Sequence, residues 1–307
     1  MTARFLLPWL WLISATSQAQ TTIQVDVQLV QIGFSVRDAE GSIRAGLGAD
    51  DFEVFEDGKR QKVARFGAAE SLPLRLGVLT DLSGSQHAFV KAHRADVKVF
   101  LDTVLGPADQ VFLVGFGNRL RLLAEYSDQS ESLIHYLKLG LKNVYFPVVG
   151  PDVRRRGGTA FFDAIYHSIR QKFVAEAGRR ALVVMSDGSD NSSGYTLLDA
   201  IEAGQEQDVR IFSLWYSKPG EEGTPIRDQY GRRVMDRLAG GTGGERFEAS
   251  HGVLGEQFRR IAEDLRSSYE LGYYSSNARS PGVFHSVEIR PKQVGLQVRA
   301  KPGYYSR

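Results

Sequence analysis

Three oxygen-bearing side chains, Asp81, Ser83 and Ser85, alternate after the apolar run "LPLRLGVL". In an extended or gently turning backbone, alternate side chains point the same way, so one loop presents a carboxylate and two hydroxyls together. Such ligands suit a hard cation such as Mg²⁺, which takes octahedral oxygen coordination at ~2.0–2.1 Å and usually keeps some waters. The stretch is therefore a candidate cation-binding loop, and the alternative is a polar turn that merely ends a strand.

Two other loops supply oxygen ligands in matching places. Thr159 follows Gly157 and Gly158 and precedes a predicted helix, where its hydroxyl serves either as an N-cap or as a ligand. Asp187 ends the apolar run "ALVVMSDG", as Asp81 ends its own. Each feature alone is weak, because Asp is common at strand ends and Gly-Gly-Thr before a helix is more often a cap.

The elements that carry these loops alternate between strand and helix from Leu72 onward. Continuous apolar runs such as "LRLGVLTD" and "RRALVVMS" are typical of buried parallel strands, and helical stretches lie between them. The polar stretch "KPGEEGTPIRDQYG" is predicted to be an inserted loop. The fold class is α/β, a doubly wound, mostly parallel sheet flanked by helices. In such a sheet, ligands bind beyond the carboxyl ends of the strands, where the strand order reverses.

Both ends of the chain show β patterns. The segment before Leu72 alternates, and its Asp57-Gly58 pair predicts a hairpin; the tail after Ser268 alternates again. We expect the two ends to form one small β-domain. The predicted boundaries are a signal peptide over 1–19, an N-terminal β segment over 20–71, a central α/β domain over 72–268 and a C-terminal β segment over 269–307.

Taken together, these motifs resemble the von Willebrand factor type A domain. "DLSGS" at 81–85, "GGT" ending at Thr159 and "SDG" containing Asp187 match its metal-ion-dependent adhesion site, Asp-x-Ser-x-Ser followed by a Thr and an Asp. The resemblance covers roughly Leu72 to Tyr269. The flanking segments further resemble the exported von Willebrand A-related proteins found in acidobacteria.

The resemblance implies a role for each residue of the pattern. Asp81, Ser83, Ser85 and Thr159 would hold Mg²⁺ or Mn²⁺ directly or through water, and Asp187 would act mainly through a bridging water. It also implies a protein partner that completes the coordination with a carboxylate. Two formal negative charges leave a divalent ion attractive to one more anion, which agrees with that expectation.

Composition bounds the other functions. With 38 basic and 36 acidic residues the net charge is +2, which gives no electrostatic argument for nucleic acid. The first residues, "MTARFLLPWLWLISATSQAQ", have the layout of a secretory signal, so we expect a secreted or periplasmic protein with no membrane span in the mature chain. The absence of cysteine excludes thiol chemistry.

These observations predict a non-enzymatic, exported binding module. One alternative is a structural or regulatory subunit of a cell-envelope complex. A metal-dependent hydrolase is disfavoured, because the three loops offer no candidate base.

The six histidines are scattered, with no His-Glu-x-x-His motif, and Asp190 and Asn191 are interpreted as solvated turn residues. Arg154, Arg155 and Arg156 are hypothesised to steer an acidic partner.

Overall fold

The structure of this protein is a computed structural model. It describes residues 29–69, 72–83, 97–140, 142, 144–153, 157–173, 178–216, 225–249, 254–277 and 281–306. The predicted signal peptide, Ser85 and the three arginines at 154–156 lie outside the described residues, so the predictions made for them stay predictions.

A six-stranded sheet forms the centre of the molecule, with the strand order β10-β9-β8-β5-β6-β7. Its strands are β5 (Leu74–Asp81), β6 (Gln110–Phe116), β7 (Arg121–Ser127), β8 (Arg179–Ser186), β9 (Val209–Trp215) and β10 (Arg246–Glu248). Five strands run parallel, and the edge strand β7 is antiparallel to β6. The chain builds outward from β5 in one direction and from β8 in the other, so the order reverses between these two strands. The doubly wound α/β fold is therefore confirmed.

Helices cover both faces of this sheet. They are α1 (97–104), α2 (Ser130–Gly140), α3 (Phe161–Lys172), α4 (Leu197–Glu206), α5 (Pro225–Gly241) and α6 (Leu254–Arg266). Buried side chains of α1, α2 and α6 share one apolar core with the sheet, and those of α3, α4 and α5 share the other. The central strands are buried on both faces, which explains their continuous apolar sequences.

The chain ends form two further four-stranded sheets, ordered β13-β1-β11-β4 and β14-β12-β2-β3. The N-terminal strands are β1 (Leu29–Arg37), β2 (Phe52–Glu56), β3 (Lys59–Gln61) and β4 (Val63–Ala68). The C-terminal strands are β11 (Tyr269–Tyr274), β12 (Phe284–Pro291), β13 (Gln297–Ala300) and β14 (Gly303–Tyr305). Each sheet mixes strands from both ends, and residues of both sheets contribute to one apolar core. The domain boundaries themselves stay a prediction.

A buried ionic cluster joins these terminal sheets to the central unit. Arg210 on β9 donates to Asp264 of α6 at 2.9 Å and to the hydroxyl of Ser35 on β1 at 3.2 Å. Arg37 approaches the other oxygen of Asp264 at 3.4 Å. Both arginines bond to the buried Asp264 carboxylate, which fixes the position of β1 against the carboxyl end of α6. Removing Asp264 would leave both buried cations without this counter-charge.

One expectation about local structure was wrong. Residues 225–231, predicted as part of a polar insertion, are the first two turns of α5. Proline is favoured in the first turn of a helix, where its missing N–H would have no partner, so Pro225 begins this helix instead of excluding one. Among the helices of the described ranges, none is long and apolar enough to cross a membrane.

Candidate metal centre

Asp81 is the last residue of β5 and lies where the strand order of the central sheet reverses. Its side chain is only 2% exposed. One carboxylate oxygen accepts the backbone N–H of Ser83 at 2.9 Å, and the other accepts the hydroxyl of Ser186 at 2.8 Å. Ser186 ends β8, so the hydrogen bond spans the crevice between the two central strands.

The charge of Asp81 lacks a cationic partner among the residues that the structure describes. Burial raises the pKa of Asp81 to about 6; the bonds from Ser83 and Ser186 act in the opposite direction, and the negative charge of Asp187 adds a further small increase. A buried carboxylate near a second carboxylate is costly to charge unless a cation compensates it. This donor set therefore fits a divalent cation.

Ser83 is held beside the loop that follows β6. Leu82 donates its backbone N–H to the carbonyl of Phe116 at 2.7 Å, which continues the strand pairing past Asp81. A Cβ on Gly117 would lie 3.5 Å from the backbone nitrogen of Ser83, so these two loops are in close contact. Ser85, the third member of this loop's pattern, is not among the described residues.

Thr159 is buried just before α3, and its backbone is fixed from both sides. Its N–H donates to the side-chain oxygen of Asn191 at 2.7 Å, and the next residue, Ala160, donates to the carbonyl of Gly117 at 3.0 Å. The N-cap position is Ala160, whose side chain makes no capping bond. Since Asp190 caps this helix from another loop, accepting the N–H of Phe161 at 2.8 Å, capping does not need the Thr159 hydroxyl.

The interpretation of Asp190 and Asn191 as solvated turn residues was incomplete: Asn191 is exposed, but both side chains also accept backbone N–H groups of another segment. Asp190 accepts backbone N–H groups of α3, and Asn191 exchanges bonds with Thr159, whose carbonyl accepts the Asn191 N–H at 3.2 Å. Sequence reasoning missed these roles because the partners lie about thirty positions earlier in the chain. The only sequence signal is the residue type, since Asp and Asn readily bond to nearby backbone groups.

Asp187 lies in the loop after β8, and α5 packs directly against its backbone. The indole N–H of Trp215 donates to the Asp187 carbonyl at 3.1 Å. A Cβ on Gly231 would lie only 2.1 Å from that same oxygen, so only glycine allows α5 this approach. The side-chain oxygen of Asp187 accepts the N–H of Ser189 at 2.9 Å. Neither Trp215 nor Gly231 was expected near the site.

The basic side chain of Arg227 reaches this loop. Arg227, in the first turn of α5, lies 3.6 Å from Asp187 Oδ2 and 3.3 Å from the Ser189 hydroxyl. It is 61% exposed, so water screens the interaction. Its charge nevertheless lies next to a predicted ligand of the cation. This contact was not expected, because residues 225–231 were predicted to be a loop.

The described residues of the pattern thus lie on adjacent loops at the carboxyl ends of the parallel strands. Backbone and side-chain bonds connect the Asp81 loop to the loops after β6 and β8, and connect the Thr159 loop to both of these. Asp163 on α3 is buried and accepts the N–H groups of Gly194 and Tyr195 at 2.8 and 2.9 Å.

Comparison with known proteins gives structural likenesses alone. No protein-family description matches the chain, and no curated protein matches it. The structure is similar to BatB of Bacteroides thetaiotaomicron, with 16% identity, 63% of this chain and 100% of that chain covered, and a TM-score of 0.48. It is similar to a von Willebrand factor type A protein of Catenulispora acidiphila, with 13% identity, 94% and 75% covered, and the same TM-score.

A third similar structure is proximal thread matrix protein 1 of the mussel byssus, described with a zinc-occupied metal-ion-dependent adhesion site motif. It shares 13% identity, covers 68% of this chain and 49% of its own, and has a TM-score of 0.48. At these TM-scores the likenesses carry no functional argument. The assignment of the fold rests on the strand order and directions of the central sheet.

Proposed function

We propose that this protein is an exported binding module that holds a divalent cation, Mg²⁺ or Mn²⁺, and uses it to dock a carboxylate of a partner protein. The ligands are Asp81, Ser83, Ser85 and Thr159, with Asp187 acting mainly through a bridging water. When bound, the cation supplies an electrophilic centre with room for one more anionic ligand.

The observation that carries this proposal is the buried charge of Asp81 at the switch point of the sheet, which no cationic side chain of the described residues compensates. A carboxylate with 2% exposure and two hydrogen bonds stabilises the fold poorly on its own. Its position beyond the carboxyl end of a central parallel strand is where open α/β sheets bind ligands. A buried carboxylate that destabilises the metal-free fold, at a position suited to a ligand, is expected to bind a cation.

The surrounding bonds pre-organise the ligands. Ser186 and the Ser83 N–H fix both oxygens of Asp81, and Asn191 fixes the backbone of Thr159. Because these partners restrict the side chains before binding, less conformational entropy is lost when the ion arrives. Hydroxyl ligands add no negative charge, so the ion stays attractive to an external carboxylate.

Export rests on the signal-like sequence of residues 1–19 and stays part of the proposal. A role as a structural or regulatory subunit of a cell-envelope complex uses the same cation site with a permanent partner. Both alternatives differ from a metal-dependent hydrolase, which a turnover screen against ester and phosphate substrates would reveal.

Calorimetric titration with Mg²⁺ tests the cation site. We expect one Mg²⁺ to bind the wild-type protein and no measurable heat from Asp81→Ala. The control is Asp128→Ala, which removes an exposed carboxylate just after the antiparallel strand β7. This position lies at the amino ends of the parallel strands, away from the candidate site. Equal binding by wild type and Asp81→Ala would disprove the site.

Partner docking is tested separately, by affinity capture from envelope extract. Four samples are compared: wild type with Mg²⁺, wild type with chelator, Asp81→Ala with Mg²⁺ and Asp128→Ala with Mg²⁺. We expect one partner to be captured in the first and last samples only, and mutation of an acidic residue of that partner to abolish capture. A partner retained in all four samples would show docking that is independent of the cation.

A further inference from the structure

A second cluster of metal-ligand side chains lies in the terminal sheets. Glu56 ends β2, Asp57 begins the turn after it, and His285 lies on β12. Potential ligand atoms of these three residues all lie within 4.8 Å of one another. His285 Nδ1 is 2.7 Å from Asp57 Oδ2 and 3.9 Å from Glu56 Oε1.

The Glu56 carboxylate is fully buried, with 0% exposure. One oxygen, Oε1, accepts the hydroxyl of Ser275 at 2.6 Å and the amide of Asn277 at 2.7 Å. The other, Oε2, is buried and makes no hydrogen bond of ordinary geometry with the described residues, and the hydroxyls of Tyr273 and Tyr304 lie close to the Glu56 carboxylate. A buried carboxylate oxygen without a well-formed hydrogen bond costs free energy, which a cation at that position would recover.

The charge balance points the same way. Glu56 and Asp57 are adjacent acids, and within the described part of the chain His285 is the only basic group in ion-pair range of Glu56. A neutral imidazole leaves both carboxylates uncompensated, and a single proton on it balances only one of them. A divalent ion would neutralise both and take the place of the His285–Asp57 hydrogen bond.

The ligand set indicates the kind of metal. Imidazole nitrogen with two carboxylate oxygens suits Zn²⁺, and hard Mg²⁺ prefers oxygen ligands alone. Three protein ligands leave a fourth tetrahedral position for water. Asp57 is 38% exposed, which opens the cluster to solvent on one side.

The surrounding residues hold the three ligands in place. Asp57 Oδ1 accepts the N–H of Ser286 at 2.8 Å, and the His285 ring packs against Tyr304 with ring centroids 5.6 Å apart. The hydroxyl of Tyr273 is also buried near Glu56 and makes no hydrogen bond of ordinary geometry with the described residues. These contacts restrict the side chains of Asp57 and His285 next to Glu56.

We infer that Glu56, Asp57 and His285 form a Zn²⁺ site that fastens the N-terminal hairpin β2–β3 to the C-terminal strand β12. This site is independent of the cation site at the carboxyl ends of the central strands, and the two sites differ in their ligand chemistry. Its expected effect is structural: bound Zn²⁺ stabilises the terminal sheets, and the remaining coordination position faces solvent.

The test measures Zn²⁺ binding to the whole protein in the Asp81→Ala background, so that Zn²⁺ entering the first site is not counted. Native mass spectrometry gives the stoichiometry, and calorimetry gives the affinity. We expect one Zn²⁺ per chain, an increase in the melting temperature on binding, and no displacement by excess Mg²⁺.

Two variants probe the ligands. Asp57→Asn keeps the hairpin, because Asp57 has a φ of +48° and asparagine tolerates that left-handed conformation, yet it removes one carboxylate. His285→Gln removes the imidazole, and His135→Gln, at an exposed position on α2, is the matched control. We expect at least tenfold weaker Zn²⁺ binding in the first two variants and unchanged binding in the control. If Zn²⁺ fails to bind, or if Asp57→Asn binds it as tightly as the parent protein, the inference is wrong.

Discussion

The hydroxyl of Ser186 donates to a carboxylate oxygen of Asp81 at 2.8 Å across the crevice between β8 and β5. Both residues are buried, so this bond and the bond from the Ser83 N–H stabilise the buried charge of Asp81. The arrangement orients Asp81 for a cation but does not neutralise it. A buried acid of this kind favours cation binding but lowers the stability of the metal-free fold. Replacing it should therefore change cation affinity and stability in opposite directions.

Asp81→Asn is expected to stabilise the metal-free protein at pH 7.5 while removing its affinity for Mg²⁺. The pKa of Asp81 is raised from 3.8 to about 6 in the fold, so at pH 7.5 the charged carboxyl destabilises the fold relative to a neutral group. The amide keeps an acceptor for Ser83 and can donate to the Ser186 hydroxyl. The gain is about 2–3 kcal/mol in the free energy of unfolding, measured by urea denaturation with chelator present.

The pH dependence of the same measurement has a defined sign. Because the folded pKa of Asp81 lies above the unfolded value, protonation favours the fold. The free energy of unfolding of the metal-free wild type should therefore rise, relative to Asp81→Asn, as the pH falls from 7.5 through 6 toward 4. Excess Mg²⁺ should reverse the order at pH 7.5, and parallel pH profiles for the two proteins would contradict the assignment.

Arg227→Ala is expected to tighten Mg²⁺ binding. The guanidinium lies 3.6 Å from Asp187 Oδ2, so it competes with the cation for the same negative charge. At 61% exposure it is well screened, and we expect an increase in affinity of about two- to fivefold at low salt that fades at high salt. Calorimetry at two ionic strengths measures this.

Arg233→Ala is the matched control for that change, since it removes the same charge from an exposed position on the same helix. Its Mg²⁺ affinity should stay within error of the wild type. Equal effects from the two variants would mean that only net charge matters and that the contact with Asp187 does not.

Gly231→Ala is expected to destabilise the fold and weaken Mg²⁺ binding together. A Cβ there would lie 2.1 Å from the Asp187 carbonyl oxygen, so the loop or the helix must move. The overpacking costs on the order of 1–3 kcal/mol, which outweighs the usual gain from alanine in a helix. Thermal unfolding and Mg²⁺ calorimetry report the two effects.

The control, Gly240→Ala, lies in the same helix with no atom within 4 Å of the added Cβ. It should leave Mg²⁺ binding unchanged and raise stability by up to about 1 kcal/mol. Should Gly231→Ala prove as harmless as Gly240→Ala, the close approach of α5 to the Asp187 loop would not matter for the site.

Asp190→Ala is expected to loosen the start of α3 and thereby the Thr159 ligand. It removes the acceptor for the Phe161 N–H at 2.8 Å, which should cost about 1–2 kcal/mol, as the loss of an N-cap does. Asp199→Ala, which breaks the capping box of α4, should cost similar stability without changing Mg²⁺ affinity. If both variants lower the affinity equally, the effect is general loss of structure.

The strands of the central sheet were predictable because burial on both faces forces a continuous apolar sequence. The predicted run "LRLGVLTD" has the bounds observed for β5, Leu74–Asp81, and the Asp57-Gly58 hairpin joins β2 and β3 as expected. The start of α5 was not predictable from residue types alone. Pro225 is compatible with a first helical turn, but Gly231 counts against a helix in a local reading. Only the packing against Asp187 explains why glycine is required there.

The candidate site was only partly predictable from the sequence. Asp81, Ser83, Thr159 and Asp187 match, in order, the adhesion-site pattern that the chain resembles, so these residues could be proposed as ligands. The residues that position them, Ser186 and Asn191 among them, were hidden because their bonds join segments about thirty to one hundred positions apart. His285 was counted as an isolated histidine for the same reason, since Glu56 and Asp57 precede it by more than two hundred residues.

The mixing of both chain ends within each terminal sheet determines when this protein can finish folding. During synthesis, β1 emerges early, yet its partner β11 follows only some 240 positions later, as in the pair Gln31 and Glu270. The central sheet needs no strand from β1–β4 or β11–β14 and can form first. The N-terminal strands therefore keep unpaired edges until β11–β14 have left the ribosome, and during that interval binding by a chaperone would protect them from aggregation.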